Sequence, residues 1–160
     1  MRIENKVIDP LSPYSRALKK IEESGIRPTK QRRILAKLIF EKGDRHISAE
    51  NLFDEVKKED RKISMATIYN TLKQFTSLGL IREIVVDQNK SLYCNNNKSH
   101  YHLYIEDEGK IHDIPTKNIN LDIPSIPACL SLHNIDVIVR VRSLKAVSYT
   151  HLRAHETIPD

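Results

Sequence analysis

The sequence predicts an α+β fold: an N-terminal winged helix-turn-helix followed by a small α/β dimerisation domain. Three observations carry this reading. Apolar residues recur at helical spacing in capped segments as far as Leu80. The period then changes to that of strands over L-I-R-E-I-V-V and S-L-Y-C. From Asn95 the chain turns polar and then β-branched, with prolines that exclude a long helix.

Taken in order, residues 1–15 read as a loose arm, with Pro10 and Pro13 inside it. Tyr14 to Ser24 reads as a first helix, with Leu18 and Ile21 on one face and Gly25 after it. Pro28 interrupts, Thr29 can cap a second helix, and Ile34, Leu35, Leu38 and Ile39 give that helix a core face. Gly43 turns the chain and Ser48 caps a third, whose Leu52, Phe53 and Val56 point inward. Ser64 caps the helix that ends at Gly79, and Ile63 with Ile68 closes a hydrophobic staple across its start. A two-stranded hairpin turning at Asp87 to Lys90 completes a unit over 16–94. Residues 95–99 read as a hinge. Within 100–145, H-Y-H-L-Y-I and K-I-H-D-I pair around E-D-E-G, and I-D-V-I-V-R-V-R reads as a long strand. Pro115, Pro124 and Pro127 allow only something short between them. Three strands with little helical cover do not stand alone, so this half is expected to pair with a second copy.

Composition narrows the function. Residues 1–97 hold 19 Lys and Arg against 13 Asp and Glu, and residues 98–160 hold 7 against 8. A basic first half beside a near-neutral second confines polyanion binding to the first. No apolar run is long enough to span a bilayer. The N-terminus lacks the apolar core of a secretion signal, so a cytoplasmic protein is expected. Cys94 and Cys129 are too few for a disulfide framework or a cysteine-only zinc site.

The Arg61–Leu80 stretch is where recognition is expected. Ile68, Leu72, Phe75 and Leu78 form its apolar stripe, and Ala66, Thr67, Tyr69, Asn70 and Lys73 form the opposite face. Short hydrogen-bonding side chains suit close approach to base edges in a major groove. Thr67, Tyr69, Asn70 and Lys73 are therefore the candidate reading residues. Arg27, Lys30, Arg32 and Arg33 crowd the start of the second helix, where cations oppose the helix dipole and phosphate would offset the cost.

R-P-T-K-Q-R, R-H-I-S-A-E-N-L-F, S-M-A-T-I-Y-N-T-L-K-Q-F and G-L-I-R together resemble the ferric uptake regulator (Fur) family over about residues 16–142. K-G-D-R-H, N-K-S-L-Y, H-Y-H and D-I-P resemble its iron response regulator (Irr) branch. The resemblance implies a homodimeric, metal- or haem-responsive repressor of iron and haem homeostasis genes that binds a pseudo-palindromic DNA operator. Independently, His100 and His102 alternate on a strand and so project from one face, as two ligands of a first-row metal can. The family pattern adds His46, Asp113 and His133 to them, around iron, manganese or zinc, and puts Cys94 where relatives carry a carboxylate. It places the metal of His46, His100 and His102 at the junction of the two domains, fixing the spacing of the two reading helices.

Two departures stand out. Ile105 and Glu108 occupy places where many members have a C-x-x-C pair, so no structural four-cysteine zinc is expected. Tyr101 replaces a third histidine of the branch motif, and neither cysteine precedes a proline, so haem is less supported than a metal ion. Residues 147–157, V-S-Y-T-H-L-R-A-H-E-T, resemble a translated sequencing-library adapter. They are set aside with His151 and His155, and residues 158–160 are of uncertain origin. The competing readings are a winged-helix regulator that senses no metal, or a metal-dependent enzyme. The second lacks an evident general base or a glycine-rich phosphate loop.

Overall fold

The structure is a computed structural model that describes residues 12–144. Of the arm expected over 1–15, residues 1–11 lie outside the described residues, as does the adapter-like stretch with His151 and His155. Ser12 instead caps a helix that takes in 13–15, its hydroxyl accepting the Ser15 amide at 3.1 Å. The chain divides into two compact units, one ending at Asn97 and one starting at Lys98.

The first unit holds α1 (Pro13–Glu23), α2 (Lys30–Phe40), β1 (His46–Ile47), α3 (Ala49–Lys58), α4 (Met65–Ser77), β2 (Arg82–Asp87) and β3 (Lys90–Cys94). The caps read from the sequence hold three of the helix starts. The hydroxyls of Thr29, Ser48 and Ser64 accept the amides of Arg32, Asn51 and Thr67 at 3.3, 3.0 and 3.1 Å. Each such cap stabilises its helix by about 1 kcal/mol. The Ile63–Ile68 staple is buried, and Ile47 with Leu52 makes a second, also buried, across the start of α3. At the other end of α4 the Gly79 and Leu80 amides bond back to the Thr76 and Phe75 carbonyls, and Gly79 takes φ +68° to allow it. Asp60 closes α3 in the same way with φ +53°, although it carries a side chain. Ile21, Leu35, Ile39, Leu52, Ile68, Leu72 and Phe75 form the core, and Phe75 lies tilted against Phe40 at 6.4 Å.

The sheet of this unit has three strands, in the order β1-β3-β2, all antiparallel. The sequence predicted two, because two residues carry no periodicity. Pairing is His46 with Cys94 and Ile47 with Tyr93, so β1 extends the wing on the side of its second strand.

The second unit is a sheet in the order β5-β4-β6, made of β4 (His100–Ile105), β5 (Lys110–Pro115) and β6 (Ile138–Val141). β4 and β5 are antiparallel, with His102 opposite Asp113, and β6 runs parallel to β4. β6 is shorter than the expected strand: 135–137 lie ahead of its first pair, Ile138 with His102, and Arg142 lies past the last, Val141 with Ile105. Beyond Val141 the chain is held by the turn after β4 instead. Arg142 donates to Glu106 at 2.8 Å, and the Ser143 amide and hydroxyl donate to Asp107 and Glu108 at 2.9 and 3.0 Å. Between β5 and β6 the prolines leave only a 3-10 turn at Thr116–Asn118. The connection exposes Leu121, Ile123, Ile126, Leu130 and Leu132.

Candidate metal centre and nucleic-acid interface

The alternation of β4 puts His100 and His102 on one face, both buried, with Tyr101 on the other. Register with β5 sets Asp113 directly across from His102 on that same face. The result is three donors in a small space. The two Nε2 atoms are 2.9 Å apart, and Asp113 Oδ1 lies 3.3 Å from His100 Nε2 and 3.6 Å from His102 Nε2. Donors about 2.1 Å from one ion are separated by roughly 3.0 Å at an octahedral right angle and roughly 3.4 Å at a tetrahedral edge. The observed separations span that range, so the triad fits a first-row divalent ion.

The imidazole of His100 is oriented from behind. Its Nδ1 lies 2.6 Å from the Lys98 carbonyl, which can only accept, so the proton sits on Nδ1. Nε2 of His100 is then an acceptor, and in the neutral pair His102 donates its Nε2 proton to it. Binding a metal through His102 Nε2 requires that proton to move to Nδ1 or leave.

In the first unit, the β1–β3 register brings His46 and Cys94 side by side, with a ring nitrogen within 4.8 Å of Sγ. A thiolate and an imidazole suit zinc or iron better than magnesium or calcium. The family pattern put Cys94 where relatives carry a carboxylate; the pairing makes it a neighbour of His46. His133 differs: it is exposed and belongs to no group of metal donors found among the described residues. The sequence placed it from the family pattern alone.

On α4 the face opposite the core presents Ala66, Tyr69, Asn70 and Lys73 to solvent, with Thr67 half-buried beside the cap. A cleft of about 390 Å³ separates this face from the start of α2, with Thr29, Gln31, Arg32, Asn70, Lys73 and Gln74 on its walls. Arg32 is not a loose cation. Its Nε donates to Gln74 at 2.9 Å and its Nη1 to the Arg27 carbonyl at 2.7 Å, tying α2 to α4. Tyr69 donates its hydroxyl to Glu50 at 2.8 Å. The hydroxyl's bond to that carboxylate holds its pKa above the usual phenol value. Neither Gln74 nor Glu50 was singled out in the sequence, because their partners are 42 and 19 residues away.

Asn95 was also missed, as the first residue of a polar run. Its side chain accepts the Arg45 amide at 2.7 Å and donates to the Ile39 and Gly43 carbonyls at 2.7 and 2.8 Å. It is an anchor of the first unit, holding the loop that leads into β1.

The model of the ferric uptake regulator family matches residues 23–139 of this chain. The chain belongs to that family. Family members are metal-responsive regulators of transcription, not enzymes. The peroxide-responsive repressor PerR of Staphylococcus aureus is 30% identical over 100 residues, 62% of this chain and 67% of that protein. Among solved structures, the ferric uptake regulator of Pseudomonas aeruginosa with manganese aligns with a TM-score of 0.63 at 18% identity, over 80% of this chain and 98% of that one. A zinc-bound manganese uptake regulator aligns with a TM-score of 0.59 at 25% identity, again over 80% and 98%. These neighbours confirm the fold class: a winged helix-turn-helix followed in the chain by a small α/β domain. Among the described residues no helix is long and apolar enough to cross a membrane.

Proposed function

We propose that this family member is a cytoplasmic, homodimeric repressor that binds a pseudo-palindromic DNA operator and answers to a divalent metal, with iron the effector favoured by its likeness to the Irr branch. The observation that carries the proposal is the convergence of His100, His102 and Asp113 on one face of the second unit. Around that triad we place His46 and, as a softer donor, Cys94, on the family pattern and on their pairing across β1 and β3. His133 is not in this ligand set. Manganese in one structural neighbour and zinc in another support a divalent ion. Haem is the lesser alternative, since Tyr101 replaces a histidine of the branch motif.

When bound, the ion supplies cross-links between donors far apart in sequence, and it shifts the protein toward whichever arrangement binds it better. The chain's own residues do the rest. The Lys98 carbonyl aims His100, and strand register aims Asp113. In the proposed division of the chain, the DNA-binding domain expected over 16–94 takes in the helix from Pro13 and the anchored Asn95. The hinge keeps 96–99 of the expected 95–99, and 100–145 is the dimerisation and sensing domain. The apolar side chains exposed between Leu121 and Leu132 support a partner copy on the last of these. Asn70, Thr67, Tyr69 and Lys73 meet bases or nearby phosphates. Arg27, Lys30 and Arg33 contact backbone phosphates, with Arg32 shared between that task and its tie to Gln74.

The test is a titration of manganese, ferrous iron, zinc and haem against affinity for a duplex selected from a random pool. Wild type and His100→Ala are compared, with metal content measured after mild purification. A metal-dependent change in wild type that is lost in the variant is expected. Equal metal content, or an unchanged response in both, overturns the sensing role.

A further inference from the structure

The reading face of α4 carries a contact that DNA binding alone does not explain. Tyr69 is 47% exposed, and its ring is not part of the core. An aromatic side chain so placed ordinarily samples several rotamers and loses that freedom on binding. Here its hydroxyl donates to Glu50 Oε1 at 2.8 Å, a bond strengthened by the charge on the acceptor. Glu50 is itself well held. It stands in the first turn of α3, just inside the Ser48 cap, where the helix N-terminus favours a carboxylate. Its own backbone amide, the Tyr69 hydroxyl and the nearby Lys90 of the wing turn all favour the ionised form. The tie therefore runs from the start of α3 to the middle of α4.

A carboxylate beside a surface that meets phosphates opposes sequence-blind contact. The same carboxylate occupies the phenolic proton, so Tyr69 cannot offer that proton to a base without losing Glu50. What Tyr69 presents is a ring held in one orientation.

We propose that Glu50 is a positioning residue for sequence reading: its carboxylate fixes the Tyr69 ring on the outer face of α4, and the preference for operator over random DNA depends on that tie. This rests on the reading of α4 as the recognition helix. Freeing one exposed aromatic side chain is expected to lower the operator-to-random affinity ratio about 3- to 10-fold per half-site.

The experiment measures that ratio with a duplex selected by the wild-type protein and a scrambled duplex of equal length. It uses the full chain and the variants Glu50→Ala, Glu50→Gln, Tyr69→Phe, the double variant Glu50→Ala/Tyr69→Phe and Asn70→Ala, with thermal midpoints recorded for each. Glu50→Ala and Tyr69→Phe are expected to lose the ratio to a similar extent, and the double variant no more than either. Glu50→Gln keeps an acceptor oxygen and is expected to retain the ratio while binding both duplexes more tightly. If Glu50→Gln loses the ratio as Glu50→Ala does, the charge and not the tie is responsible, and the proposal fails. If Asn70→Ala loses the ratio and Glu50→Ala keeps it, the proposal fails and α4 remains the reader. If Asn70→Ala also keeps it, the reading of α4 fails and takes this inference with it.

Discussion

Asn95→Ala isolates a single side chain that holds the base of the wing. Three bonds are lost: the Arg45 amide at 2.7 Å, the Ile39 carbonyl at 2.7 Å and the Gly43 carbonyl at 2.8 Å. A typical net contribution is about 0.5–1.5 kcal/mol per bond, so the three together bring about 2–4 kcal/mol. Solvent reaches the Gly43 side, where water can replace the lost donor, and this moves the expected cost to about 2–3 kcal/mol. Asn95→Asp is a sharper perturbation. It keeps the acceptor for Arg45 but sets a carboxylate against two carbonyl oxygens, so it is expected to be worse than alanine. Local exchange isolates this loop better than global unfolding of a chain with two units. The assay is amide hydrogen exchange at Ile47 and Tyr93, the pair that records β1 against β3. Protection there should fall in both variants, more in Asn95→Asp. Affinity for the proposed metal should fall with it, because His46 and Cys94 form the adjacent pair. A loss below about 0.5 kcal/mol in Asn95→Ala, or a milder Asn95→Asp, would refute the assignment of Asn95 as an anchor.

Other perturbations test separate parts. Asp60→Gly should stabilise the first unit by about 0.5–1 kcal/mol, since φ +53° strains any residue with a Cβ; Gly79→Ala should cost about 1 kcal/mol or more at φ +68°, although its Cβ would meet nothing closer than Lys20 Nζ at 3.7 Å. Urea midpoints moving in the same direction for both would show that the backbone argument is wrong. Asp113→Asn should weaken divalent metal binding about tenfold or more by removing an anionic donor, as read by competition with a metal-sensitive dye. Acid should destabilise both units. Arg142 and then Arg140 hold Glu106 below its ordinary value, Ser143 does the same for Asp107, and Lys110 and Ser143 for Glu108. Burial pushes Glu55 up, but its bonds from Arg45 and Lys42 outweigh this and leave it lowered. A depressed folded pKa means the stabilisation is complete above the unfolded carboxylate value and disappears as pH falls through the folded one. Thermal midpoints should therefore drop below about pH 4.5, and less steeply in Arg142→Ala.

Local chemistry is what the sequence displayed openly. Thr29, Ser48 and Ser64 are hydroxyls in front of apolar periodicity, and Gly79 follows the last periodic residue, so helix limits could be read within a residue or two. His100 and His102 were legible for the same reason, since strand alternation is a local rule. Hidden were the features that depend on distance. β1 is two residues long and exists only because Cys94 and Tyr93 lie beside it. Asn95, Gln74 and Glu50 look like ordinary polar residues until their partners are known. β6 read too long because Ile135 and Val137 carry the same β-branched pattern as the residues that pair from Ile138 onward.

The two-residue strand has a consequence for how a sensor of this kind can drift. Adjacent strand positions point to opposite sides, so the direction taken by His46 is dictated by where Ile47 goes. Ile47 is 1% exposed and locked among the side chains of the helices. A slip of one position would carry the imidazole round to the wrong side. With His46 in the proposed ligand set, tuning of the response can begin at a greasy residue outside that set, and Ile47→Val or Ile47→Thr is expected to alter metal sensitivity.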